Sequence, residues 1–100
     1  MAVNPGTVTS PVRRLSHLRV IHQTQDWSLA IGVWDRVYRS LLVRWNGDID
    51  HPMGNPVSHG HPTWFVLPED FHAGALALVP NSNASSADEW LKGGNPDWID

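Results

Sequence analysis

The sequence has no cysteine, few charges and no long apolar run. Without cysteine, a disulfide-stapled miniprotein, a cysteine-ligated zinc finger and an iron–sulfur protein are all excluded. No apolar stretch approaches the ~20 residues of a membrane-spanning helix, so no membrane segment is expected. Charged residues make up 17% of the chain, against about a quarter in an average soluble domain. No phosphate loop, dinucleotide fingerprint, nucleophile elbow or EF-hand loop occurs.

Tryptophan is what the chain has in excess. Six indoles in 100 residues are more than one small domain buries completely, since small domains keep much of their surface exposed. The length suits one domain. The net charge of −3 is unevenly spread. Residues 1–50 carry Arg13, Arg14, Arg19, Arg36, Arg39 and Arg44 against four aspartates, whereas residues 51–100 carry Lys92 against six acids. The two halves are expected to neutralise each other within the fold, and the mildly acidic total does not favour a nucleic-acid partner.

Residues 1–12 hold Pro5, Gly6 and Pro11 and are expected to form a flexible leader to a domain over 13–100. They lack the charged-then-apolar order of a secretory signal, so the expected compartment is the cytoplasm.

Leu15–Gln23 is β-branched and apolar and predicts a first strand. Trp27–Trp34 alternates cleanly, with Trp27, Leu29, Ile31 and Val33 on one face and Ser28, Ala30, Gly32 and Trp34 on the other. The small residues of that second face would let another element, or a partner, approach closely. Val37–Trp45 predicts the second arm of an antiparallel hairpin, although Asp35-Arg36 is not a favoured turn pair. Thr63–Leu67 predicts a fourth strand. Pro68, Glu69 and Asp70 open a short helix that Gly74 is expected to stop. Ala75–Val79 fits either a fifth strand or more helix. Ser86-Ala87-Asp88-Glu89 matches a capping box opening a helix through Lys92, with Trp90, Leu91, Trp98 and Ile99 as docking residues.

The fold expected is therefore α+β and β-rich. It is a single small domain with a four- to five-stranded, mainly antiparallel meander sheet and one or two short helices. Its expected core comprises Leu18, Val20, Leu29, Ile31, Val33, Leu41, Val43, Trp45, Trp64, Val66, Phe71 and Leu76. Trp34 is the indole that alternation places off the main apolar face.

Residues 47–62 (GDIDHPMGNPVSHGHP) form the most informative segment. Sixteen aperiodic residues are long for a loop in a small domain, and such loops are usually functional or disordered. Three prolines and three glycines argue for a shaped loop. His51, His59 and His61, with Asp48 or Asp50, could ligate a metal, although histidines at this spacing equally serve as turn residues. His51, His59, His61 or His72 could act as a base near neutral pH, with Arg39 and Arg44 stabilising an anion, as in a ribonuclease. Trp34, Tyr38 and Arg44 share a sheet face and could stack single-stranded nucleic acid.

The reading favoured over these is a non-catalytic binding or accessory module without cofactor or metal. Trp, Tyr and Arg dominate interface hot spots, and an apolar, low-charge surface favours a protein partner or self-association, as in a dimer or other homo-oligomer. Trp34, Tyr38, Arg39, Arg44, Asp48, His51, His59 and His61 are its expected binding residues. The alternatives are a small histidine-dependent hydrolase, ribonuclease-like or metal-dependent, and a single-stranded nucleic-acid binding domain.

Overall fold

Alternating apolar residues build a sheet that buries both of its faces. A computed structural model describes residues 3–98. It shows β1 (Leu15–Gln23), β2 (Trp27–Trp34), β3 (Tyr38–Trp45), β4 (Val57–Ser58), β5 (His61–Pro62), β6 (Phe65–Val66), α1 (His72–Leu76) and α2 (Asn83–Leu91). The main sheet has the order β1-β2-β3-β6, antiparallel throughout, and β4 and β5 form a separate two-stranded sheet. The domain is thus the expected β-rich α+β fold. Of the two readings open for Ala75–Val79, the helical one holds at its start, where Ala75 and Leu76 continue α1.

β2 and β3 pair without a slip from Trp27↔Trp45 to Trp34↔Tyr38. Asp35 and Arg36 turn the chain with φ of 52° and 68°, and the Val37 amide donates to the Trp34 carbonyl. Positive φ at both central residues is the conformation whose twist matches that of the flanking strands. Arg14 secures the turn from the neighbouring strand end, donating Nε and Nη2 to the two Asp35 carboxylate oxygens at 2.6 and 2.8 Å. These bonds hold the Asp35 carboxyl below the usual carboxylate range.

One sheet face carries Ile21, Leu29, Ile31 and Leu41, covered by Leu76, Val79 and Ala87 from the helical part. Each such aliphatic side chain removed from water contributes about 1.5–3 kcal/mol. The opposite face carries Leu15, Ala30 and Leu42 beneath Val8 and Trp64. Val8, which the sequence places in a flexible leader, is buried against this face, and Pro5 of the same segment is also buried. The Trp64 indole N–H donates to the Val8 carbonyl at 2.7 Å. The small-residue stripe of β2 is consequently interior. Ser28 and Ala30 are fully buried, and a Cβ on Gly32 would press on Leu15 and Leu42, so no partner reaches it.

Two expected core residues lie at the surface. Trp45 is 59% exposed and Phe71 is 59% exposed. Alternation does put Trp45 on the helix-covered face, but the cover consists of helices of five and nine residues and stops short of the last residue of β3. Phe71 falls in the 3-10 turn Glu69–Phe71 that leads into α1, while Leu76 and Val79 take the core positions.

Helix α2 begins earlier than the capping-box pattern predicts. Ser86 lies inside the helix, donating its amide to the Ser82 carbonyl. Asn81 Oδ1 instead accepts from the Asn83 amide at 2.9 Å. The C-terminal end is a Schellman turn. Gly93, at φ 99°, donates to the Trp90 carbonyl and Gly94 to the Glu89 carbonyl, satisfying groups that every helix end leaves open. Trp98 anchors the tail under Arg19, whose guanidinium lies 4.3 Å from the ring centre. Ile99 lies outside the described residues.

Candidate functional site

Arg44 organises the 47–62 loop. Its alternation position points it away from the helical face, and it is 2% exposed. Nη1 donates to the Thr63 carbonyl and Nη2 to the Met53 carbonyl, so one planar fork ties the middle of the loop to the residue that follows its C-terminal end. The ring centre of Trp64 lies 6.0 Å from the guanidinium carbon. Burial lowers the Arg44 pKa from the ordinary arginine value. Asn46, also buried, donates to the Thr24 carbonyl and accepts from the Ser28 hydroxyl at 2.6 Å.

Beyond this anchor the loop is built of turns. Asp48 Oδ1 accepts from the amides of His51 and Asp50 at 2.7 and 2.9 Å. Those amides, His51 first, hold its carboxyl below the usual range. Gly54 is required, because at φ +63° a Cβ would run into the Trp45 carbonyl and approach Arg44 Nη2. His59 and Gly60, with φ of 51° and 79°, form the turn between β4 and β5.

The structure therefore separates the expected site residues. His51 is exposed and lies 3.4 Å from the Asp48 carboxylate. His59 occupies an exposed hairpin turn, its Nδ1 3.1 Å from the Ser58 hydroxyl, and His61 is exposed beside it on β5. Among the described residues, no group of three or more His, Cys, Asp or Glu side chains is placed to hold a metal ion. Arg39 donates to the Trp90 and Gly94 carbonyls at 2.8 and 2.6 Å, where a cation also complements the dipole at the end of α2. Trp34 is half-buried under Arg14, 4.8 Å from ring centre to guanidinium carbon. Tyr38 is 63% exposed and borders a charged groove with Arg39, Glu69, His72 and Lys92.

What the fold does bring together is a cleft of about 310 Å³, lined by Trp27, Val43, Arg44, Trp45, Asn55, Pro56 and Phe65. Trp27 and Trp45 are cross-strand partners, and the Trp45–Asn55 bridge draws the loop up to the end of β3. Phe65 is 55% exposed. Trp45 and Asn55 also border a more polar hollow of about 500 Å³ that holds Asp26, Asp48 and His51. An aromatic cleft and an acidic hollow thus share Trp45 as a wall. Arg44, Asp48 and His51 are expected binding residues, and Gly47, Gly54, Asn55 and Pro56 belong to the 47–62 loop expected to form the recognition surface, whereas Asp26, Trp27, Val43, Trp45 and Phe65 were not expected there. The available signal was position, since Trp45 immediately precedes the Asn46-Gly47 break.

The other tryptophans are already engaged. Arg14, Arg19, Arg39 and Arg44 lie over Trp34, Trp98, Trp90 and Trp64 at 4.8, 4.3, 4.8 and 6.0 Å. Among the described residues no cation lies over Trp27 or Trp45; Trp27 instead meets the His22 ring edge-on at 5.4 Å. Comparison with known proteins finds no matching family model, no matching curated protein and no matching solved structure.

Proposed function

We propose that this domain is a non-catalytic binding module for a protein partner, with the Trp27–Trp45–Phe65 cleft and the adjoining loop as its recognition surface. The observation that supports this reading is the exposure of Trp45 and Phe65, at 59% and 55%, on a cleft whose other walls are mostly apolar. Large exposed aromatics on a concave surface are the groups that anchor interfaces, because they exclude much water at little conformational cost. Ile49, Met53 and Val57, at 83%, 43% and 41% exposure, extend the apolar surface along the loop. Turns and the Arg44 fork hold that loop in shape, which limits the ordering cost of binding.

The same facts count against the alternatives. Arg39 commits Nη1, and the buried Arg44 commits Nη1 and Nη2, to backbone carbonyls, which counts against a phosphate held by either fork. Asp26 and Asp48 beside the cleft repel a nucleic-acid backbone. A random heptapeptide library displayed on phage, selected on the wild-type protein and on Trp45→Ala, tests the reading. Enrichment on wild type that is lost on Trp45→Ala is the expected result. Equal retention by both proteins overturns it.

A further inference from the structure

The chain has six tryptophans and six arginines. Four of each pair up within the fold. Among the described residues, the tryptophans without an arginine over them are Trp27 and Trp45, and the arginines not over a tryptophan are Arg13 and Arg36. These leftovers lie at opposite ends of the sheet. Trp27↔Trp45 closes one end of the β2–β3 ladder and Trp34↔Tyr38 the other, roughly 23 Å apart at the rise of an extended strand. Arg36 is at the tip of the β2–β3 turn, and Arg13 precedes Leu15, which pairs with Trp34 at that same end.

We infer that the partner of the aromatic cleft is a second copy of this chain, which inserts its β2–β3 turn, Arg36 and Val37 foremost, between Trp45 and Phe65. This assignment rests on the reading of the cleft as a recognition surface and names what occupies it.

Charge complementarity supports it first. The hollow beside Trp45 holds Asp26 and Asp48, and the opposite end of the sheet exposes Arg13 and Arg36. Neither arginine makes an ion pair or side-chain hydrogen bond among the described residues. A guanidinium laid on the exposed Trp45 face reaches toward those carboxylates while stacking, the geometry that arginine serves better than lysine.

Apolar fit supports it second. Val12 and Val37 flank the two arginines at 78% and 70% exposure. Each arginine therefore has an exposed apolar neighbour, as the cleft has an acidic one.

The turn itself supports it third. Arg36 has φ 68°, a left-handed conformation that is unfavourable for a non-glycine residue and that Asn-Gly would adopt more readily. Among the described residues the Arg36 side chain makes no ion pair or side-chain hydrogen bond, whereas a neighbouring molecule would supply it a partner.

Reciprocal exchange, each tip in the other copy's cleft, gives an isologous two-fold dimer; a one-way, heterologous contact closes as a ring or extends as a chain.

Complementation between two exposed-site variants of the full chain tests the inference. Arg36→Glu keeps the cleft and loses the tip, and Trp45→Ala keeps the tip and loses the cleft. In sedimentation velocity the wild type is expected to self-associate with concentration, less so at high salt. Each variant alone should weaken association roughly ten-fold or more. An equimolar mixture should form a one-to-one complex, because each variant supplies the patch the other lacks. Circular dichroism and the spread of amide resonances confirm that both variants are folded.

A wild type that stays monomeric at millimolar concentration overturns the inference. So does association that survives in both variants, or a mixture that fails to complement. None of these outcomes decides the phage selection, which reads the cleft itself. Enrichment there that depends on Trp45, together with a monomeric wild type, keeps the cleft as a recognition surface and rejects only the second copy as its occupant.

Discussion

The Trp64 indole nitrogen donates to the carbonyl of Val8 at 2.7 Å, joining residues 56 positions apart inside the second core layer. Trp64 is 4% exposed and Val8 is 1% exposed, so neither group can turn to water instead. The bond makes the segment around Pro5 and Val8 part of the domain.

Trp64→Phe keeps an aromatic ring in place and strands the Val8 carbonyl. The expected loss is about 1–3 kcal/mol of stability, read by urea denaturation. Val8→Ala should lower stability through the same layer, whereas Val12→Ala, at a position 78% exposed, should change little.

Arg44→Met replaces a buried cation by a shorter, unbranched apolar side chain. It leaves the Thr63 and Met53 carbonyls without their donor, and roughly 3 kcal/mol of destabilisation is expected. Limited proteolysis should show earlier cleavage within residues 47–62. Arg44→Lys should recover only part of the loss, because a single ammonium cannot reproduce the planar fork.

Leu41→Ala and Trp45→Ala separate the interior of β3 from its exposed end. Leu41 has no exposed surface, and its truncation should cost about 2–5 kcal/mol. Trp45→Ala should stay within about 1 kcal/mol despite removing the larger side chain. Chemical denaturation of the two variants checks the difference.

Acid should weaken the fold through Asp35 and Asp48. Both carboxyls are held below their ordinary values, Asp35 by Arg14 and Asp48 by the His51 and Asp50 amides. A depressed folded-state pKa contributes stability that is present above the unfolded value, ~3.9, and is lost as pH falls through the folded value. Thermal unfolding should therefore be flat near neutrality from these groups and decline below about pH 4. Asp48→Asn retains an acceptor for the turn and removes the Asp48 part of that decline, and Asp35→Asn removes the part due to Arg14.

Much of the sheet was legible because its determinants are local. The bounds of β1 and β2 follow from β-branched content and from alternation, and the pairing of β2 with β3 follows from their adjacency. The helical part was less legible. The Ser86–Glu89 pattern is a valid cap motif, but Asn81 and the Ser82 carbonyl offered an earlier start that the sequence does not rank against it. The histidines at 59 and 61 show the same limit. Their spacing fits a ligand pair or a two-residue hairpin turn, and only the pairing of β4 with β5 selects the turn.

By itself the sequence determined the β-rich α+β class, the shaped 47–62 loop and the excess of indoles, since these depend on composition and short-range periodicity. Tertiary structure alone decided which tryptophan faces solvent. Alternation assigns Trp45 to a face, but exposure depends on where α1 and α2, more than 25 residues later in the chain, stop covering that face. The same long-range packing pairs four arginines with four tryptophans and leaves Trp27 and Trp45 facing the cleft. A stacking partner is set by three-dimensional proximity, which no spacing along this chain encodes.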